Sequence, residues 1–297
     1  MLFDSHAHVN FAAYKDDADE VIKRALENDV WMINVGSLYE NSKRAVEIAE
    51  KYPKGVYATV GLHPIHLAEG IFKVKMDEEE TAFQTKNENF DPSIPLRVNY
   101  EKYKSLANSS KVVALGEIGL DYYWKPKSKG KLEVYKEKQK NTLSEQMNLA
   151  DELNLPIIFH CRMAHQDLIE VLKLKLKTQN SKLRGVVHCF TGNLEQAQQY
   201  TELGLYLGFN GIIFKPAPYR TEGSGAGMNF NEIIKKMPLE KILIETDCPY
   251  LSPPGAPARN EPIYVKQVAE KIAEIKNTTV DEVAQITTAN AKKLFKI

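Results

Sequence analysis

Leu2-Phe3-Asp4-Ser5-His6-Ala7-His8-Val9 opens the chain as a short run that starts apolar and finishes on two imidazoles two residues apart. A strand buried on both faces reads in this way, as an apolar run whose polar residues come at its end. Seven further runs share the character: Trp31 to Gly36, Val56 to His63, Lys111 to Ile118, Pro156 to Cys161, Gly185 to Phe190, Leu205 to Gly211 and Lys241 to Asp247. Between them lie longer segments with helical spacing. Eight strands alternating with helices predict a parallel sheet closed into a TIM-type (β/α)8 barrel, with the polar strand ends at its C-terminal mouth.

The intervening segments carry one apolar face each. Ala18, Val21, Ile22, Ala25 and Leu26 share a side, as do Leu143, Met147 and Ala150, and then Val265, Val268, Ala269 and Ile272. Past the eighth unit, Thr279 and Glu282 form a capping-box pattern that predicts an extra C-terminal helix over about 279–295. At 297 residues the chain suits one undivided barrel domain spanning 1–297. The polar stretch 71–99, with the run Asp77-Glu78-Glu79-Glu80 and the prolines Pro92 and Pro95, is longer than an ordinary βα connection. Its composition favours a surface insertion over a lid.

Composition narrows the partners. Hydrophobic residues at 43% and charged residues at 26% describe a globular chain, and the zero net charge excludes attachment to nucleic acid by bulk charge alone. No run of about eighteen apolar residues predicts a membrane span, and the N-terminus lacks a signal pattern, so a cytoplasmic protein is expected. The cysteines Cys161, Cys189 and Cys248 are odd in number and far apart, which fits a reducing compartment.

The chemistry sits at the strand ends. His6 and His8 end the first strand and face one way, because strand side chains alternate. His63, Glu117, His160, His188 and Asp247 fall at equivalent places on strands three, four, five, six and eight. Buried imidazoles and carboxylates brought together without partners would be costly, so their convergence points to bound cations. The mixed N/O donors suit zinc, manganese, iron or cobalt, with magnesium possible where carboxylates dominate. The three cysteines directly follow His160, His188 and Asp247, so alternation turns them outward as small apolar residues.

Seven fragments, FDSHAH (Phe3–His8), GLHP (Gly61–Pro64), GEIGLDYY (Gly116–Tyr123), FHCR (Phe159–Arg162), HCFTG (His188–Gly192), IETDCPYL (Ile244–Leu251) and RNEP (Arg259–Pro262), run nearly the length of the chain. In this order the chain resembles the TatD family of metal-dependent deoxyribonucleases, within the amidohydrolase-like barrels. The resemblance implies one divalent ion on His6, His8 and Asp247, a second on His160 and His188, and Glu117 bridging both. His63 then looks like a substrate-phosphate contact. Related phosphotriesterase-like barrels bridge with a modified lysine, so Glu117 leans toward the nuclease branch. Two departures are the long 71–99 stretch and Pro253–Ala258, which is less basic than the usual lead-in to RNEP.

The expected activity is hydrolysis of DNA phosphodiesters, with single-stranded DNA or 3′ ends as substrate and the 3′-5′ polarity resting on the resemblance. Two ions, zinc, manganese or magnesium, would activate a water, and Asp247 is the candidate general base beside the bridging Glu117. Candidate substrate contacts are His63, Arg162, Arg259, and Trp124 with Lys125 in the stretch Tyr122–Lys131. No obligate protein partner is evident. The same metals on this fold would also serve hydrolysis of a small ester, lactone, amide or phosphoester. A non-catalytic metal-binding module is the third reading.

Overall fold

A computed structural model describes residues 1–75, 78–82, 96–179, 183–216 and 228–297. Its eight strands are β1 (Leu2–Ala7), β2 (Val30–Asn34), β3 (Val56–Val60), β4 (Val112–Asp121), β5 (Ile157–Arg162), β6 (Gly185–Val187), β7 (Tyr206–Phe209) and β8 (Ile242–Ile244). They pair in sequence order, every pair parallel. The seam between β8 and β1 is closed by an Ala7–Cys248 bridge and by Asp247 N–H donating to the His6 carbonyl at 2.8 Å. Asp4, wholly buried on β1, accepts from Thr246 N–H at 2.9 Å and so ties the same seam. The TIM-type (β/α)8 barrel is the fold.

Ten helices are described: α1 (Ala18–Glu27), α2 (Tyr39–Glu50), α3 (Glu78–Thr81), α4 (Leu96–Leu106), α5 (Lys129–Glu152), α6 (His165–Gln179), α7 (Leu194–Glu202), α8 (Phe230–Lys236), α9 (Val265–Lys276) and α10 (Val280–Phe295). The apolar faces read from the sequence are buried: Val21, Ile22 and Ala25 on α1, Leu143, Met147 and Ala150 on α5, Val265, Val268, Ala269 and Ile272 on α9. They form the outer core between helices and strands. The inner core holds Phe3, Ile33, Val113, Ile158, Val186 and Leu243, and α10 closes its N-terminal end with Ala291, Leu294 and Phe295. Thr279 caps α10, its hydroxyl accepting from Glu282 N–H at 3.1 Å. No helix among the described residues is long and apolar enough to cross a membrane.

Strand ends differ from the expected ranges in a way that shapes the mouth. β4 continues three residues past Ile118, and its register shifts between Leu115 and Ile118, the irregularity that holds Glu117. Gly119 makes the continuation possible, because a Cβ there would lie 1.9 Å from the His160 carbonyl oxygen. β6 and β8 stop before His188 and Asp247 instead. Cys189 at φ 42° and Asp247 at φ 57° turn the backbone through the left-handed region, so strand alternation no longer governs the residues there. Cys161 and Cys248 are nevertheless buried in the outer core, while Cys189 stays partly exposed with Sγ 3.7 Å from Asn210 Oδ1.

Of the 71–99 stretch, 76–77 and 83–95 lie outside the described residues, with Asp77, Pro92 and Pro95 among them. Within its described part, α3 contacts the segments after β2 and β3 through Glu80. Glu80 on α3 meets His66 Nε2 at 2.8 Å, and its carbonyl accepts from Asn41 at 2.8 Å. His66 follows directly on the strand-three loop that carries His63.

Candidate metal centre

Each strand end delivers its side chain to one buried cluster. His6 and His8 converge from β1, their Nε2 atoms 3.1 Å apart. His8 Nδ1 lies 2.9 Å from the Val35 carbonyl, a bond that places its proton on Nδ1 and leaves the Nε2 lone pair facing inward. Asp247 Oδ1 completes this side at 3.7 Å from His6 Nε2 and 3.5 Å from His8 Nε2. The left-handed backbone at Asp247 aims the carboxylate back across the mouth, and aspartate is among the few residues that adopt such a φ readily.

Glu117 stands between two groups, and its two oxygens face opposite ways. Oε2 lies 3.5 Å from His6 Nε2 and 3.9 Å from His8 Nε2. Oε1 lies 2.6 Å from His160 Nδ1 and 2.7 Å from His188 Nε2. Burial opposes its charge, yet His188 and the hydrogen bonds from His160 and His188 hold its carboxyl well below the usual range. The site is built for an ionised Glu117.

These groups fit divalent cations. Ligand atoms of His6, His8 and Asp247, and separately of His6, Glu117 and His188, lie within 4.8 Å of one another. Buried His6 Nδ1 and His188 Nδ1 lack hydrogen-bond partners, and neither Glu117 nor Asp247 pairs with a lysine or arginine among the described residues. Positive charge for the buried Glu117 and the partly buried Asp247 must therefore come from the imidazoles or from bound ions.

His63 differs from the other imidazoles. Its Nδ1 accepts from Ile65 N–H at 3.1 Å, so the neutral ring carries its proton on Nε2, 3.7 Å from Glu117 Oε1. Burial, reinforced by the nearby His160, pushes its pKa down to about 3, which keeps it neutral. A neutral Nε2–H is a donor and no ligand. The set His63, Asp121 and His160, though compact, is thereby a weak holder of a third ion.

The family model described as TatD related DNase matches residues 3–296. The chain belongs to the TatD family. A metal-dependent hydrolase of Bacillus subtilis, YabD, is 39% identical over 300 residues covering 100% of both chains. A Citrobacter rodentium protein named 3′-5′ ssDNA/RNA exonuclease TatD is 32% identical over 307 residues, covering 100% of this chain and 98% of its own. Among solved structures, the TatD homologue YjjV of Escherichia coli K12 superposes with a TM-score of 0.76 at 29% identity, covering 100% of this chain and 98% of the other. The chain is a metal-dependent hydrolase of the TatD type.

Two buried carboxylates of this TatD centre escape a reading of the sequence alone. Asp121 Oδ2 lies 3.2 Å from His160 Nε2, and its other oxygen accepts from Tyr123 N–H at 2.8 Å. Glu245, wholly buried, lies 3.6 Å from His188 Nδ1 and accepts from Cys189 N–H at 2.6 Å. Asp121 lies four residues past Glu117 on β4, and Glu245 lies two residues before Asp247, just past the end of β8.

The expected substrate contacts divide. Arg162 leaves the end of β5 and stacks on Tyr123, 3.6 Å from the ring centroid, beside Asp121. Trp124 and Lys125 are exposed in the loop after β4, whereas Lys129 and Lys131 belong to the first turn of α5 and not to that loop. Arg259 is brought to protein groups instead. Its guanidinium bonds both oxygens of Asp17 at 2.8 and 2.6 Å, Glu261 at 3.2 Å and the Ala13 carbonyl at 2.9 Å, and lies over Tyr14.

Arg259 thus forms a clasp between the first and last loops, its described pairings all being with protein groups. Arg259→Ala is expected to cost about 1–2 kcal/mol of stability, with kcat within about twofold of wild type. Thermal melts and steady-state kinetics check this; an unchanged Tm with a large fall in kcat would reverse it. The Arg259 hydrogen bonds hold Asp17 below the usual carboxylate range. The clasp's contribution is therefore present above the ordinary aspartate pKa and lost as pH falls through the lowered one.

Proposed function

We propose that the chain hydrolyses phosphodiester bonds of single-stranded nucleic acid, DNA first, from 3′ ends, with two divalent ions on either side of Glu117. The observation that carries this reading is the division of the Glu117 oxygens, Oε2 toward His6 and His8 and Oε1 toward His160 and His188. On this reading His6, His8 and Asp247 hold one ion and His160 and His188 the other. The naming of relatives as 3′-5′ ssDNA/RNA exonucleases supports the substrate class. Divalent ions in such a cradle supply Lewis acidity: they draw the pKa of a water toward about 7 and offset charge on the phosphate.

The protein groups do the rest. Asp247, at the mouth with 15% of its side chain exposed, accepts the proton of the attacking water. His63 holds a proton at Nε2 by virtue of the Ile65 bond and donates it as a hydrogen bond to a phosphate oxygen. Arg162, kept planar against Tyr123, orients the diester, and on the same rim Trp124 offers a ring for base stacking while Lys125 meets a phosphate.

Polymer and small-molecule substrates separate by salt. Hydrolysis of a single-stranded oligonucleotide is expected to fall steeply with ionic strength, and each lysine–phosphate pairing removed by Lys125→Gln or Lys127→Gln should shrink the log–log slope by roughly 0.7. Turnover of bis-p-nitrophenyl phosphate by the same variants stays at the wild-type level. If the oligonucleotide is not cut, or is cut without regard to salt or these lysines, the small-ester reading replaces this one.

A further inference from the structure

Two divalent ions would bring four positive charges to a centre in which only Glu117 and Asp247 are carboxylate ligands. The surroundings supply two more acids, and both lie behind the same pair of imidazoles. His160 directs Nδ1 to Glu117 and Nε2 to Asp121; His188 directs Nε2 to Glu117 and Nδ1 to Glu245. The other pair is backed differently: among the described residues His8 Nδ1 meets the Val35 carbonyl, and His6 Nδ1 has no carboxylate in ion-pair range, whereas His188 Nδ1, equally without a hydrogen bond, has Glu245 at 3.6 Å.

Neither acid has another charge partner. Asp121 is 2% exposed and Glu245 is 0% exposed, and among the described residues neither pairs with a lysine or arginine. Asp121 is fixed from both sides, since Gln139 accepts from its N–H at 2.8 Å and donates to its carbonyl at 2.9 Å. Glu245 is fixed by Cys189 N–H and by Asn210 Nδ2 at 3.3 Å. One oxygen of Glu245, Oε2, is buried with no hydrogen-bond partner among the described residues. A carboxylate locked in place against the far nitrogen of a ligating imidazole sets the ring's tautomer and orientation and raises its donor strength.

Resting on the two-ion reading above, we propose that Asp121 and Glu245 are positioning residues. They make the His160–His188 half a carboxylate-backed site of higher affinity and bring the buried charge of the loaded centre to balance. The His6–His8 half lacks this support. The two halves therefore differ in how firmly they keep an ion, although Asp247 adds a direct carboxylate to the His6–His8 half.

The test is metal binding. Metal-free wild type, Asp121→Asn and Glu245→Gln are titrated with zinc by calorimetry, with elemental analysis of the loaded proteins and anomalous maps of their zinc-soaked crystals. The expected result is two equivalents in wild type. In each variant one equivalent weakens by about 10–100-fold while the other stays within about threefold, and the anomalous peak that disappears is the one between His160 and His188. Metal-free melting temperatures should be alike. Wild-type affinity at both equivalents, or equal weakening of both, overturns the positioning role. Fewer than two equivalents in wild type overturns the two-ion reading itself. Should the wholly buried Glu245→Gln fail to fold, Asp121→Asn decides by the same criteria.

Discussion

Glu117→Ala is expected to lower kcat/KM by roughly 10³-fold or more, about 4 kcal/mol of transition-state stabilisation. The size follows from geometry. One side chain contributes an oxygen to each of two imidazole groups, at 2.6 and 2.7 Å on one side and 3.5 and 3.9 Å on the other. Alanine removes both oxygens at once and leaves His6, His8, His160 and His188 facing each other with no negative charge between them. Glu117→Gln separates the two contributions, because an amide keeps one oxygen but cannot serve both groups as an anion. Steady-state kinetics on an oligonucleotide, with metal content measured in each preparation, gives the result. Activity within tenfold of wild type for both variants would remove Glu117 from the centre.

Asp247→Asn is expected to cut kcat by roughly 10²–10⁴-fold while most of the bound metal is retained. Asparagine tolerates the left-handed φ of 57° and keeps an oxygen where Oδ1 now faces His6 and His8. What it cannot do is accept the proton of the attacking water. Asp247→Ala should lose metal as well, since it also removes the ligand and strains the backbone. The contrast between the two variants distinguishes a base from a mere ligand: equal kcat losses, both tracking lost metal, would reduce Asp247 to the ligand role.

Eight strands are legible because each is a buried parallel run of apolar residues, and the barrel follows from their alternation with amphipathic helices. Their ends are not, because two left-handed residues, Cys189 and Asp247, stop the pairing earlier than composition suggests. The proposed ligand set is legible because each member is a polar residue at or near the end of an apolar run. Asp121 is hidden by Gly119, which reads as a strand end but is there to pass under the His160 carbonyl. Glu245 is hidden by its own neighbour, since Asp247 alone satisfies the expected pattern although the two share the spacing of His6 and His8. Arg259 is the converse case: a motif arginine next to a helix start suggests a phosphate, and its pairing with Asp17 is visible only in the structure. Likewise, acidity in the 71–99 stretch says nothing of Glu80 reaching His66.

Crystals of the protein soaked in manganese, with anomalous data collected, test the central claim most directly. Two peaks are expected about 3.5 to 4 Å apart, one on each side of the Glu117 carboxylate, the first against His6, His8 and Asp247 and the second against His160 and His188. A single peak, or ions bound away from Glu117, would contradict it.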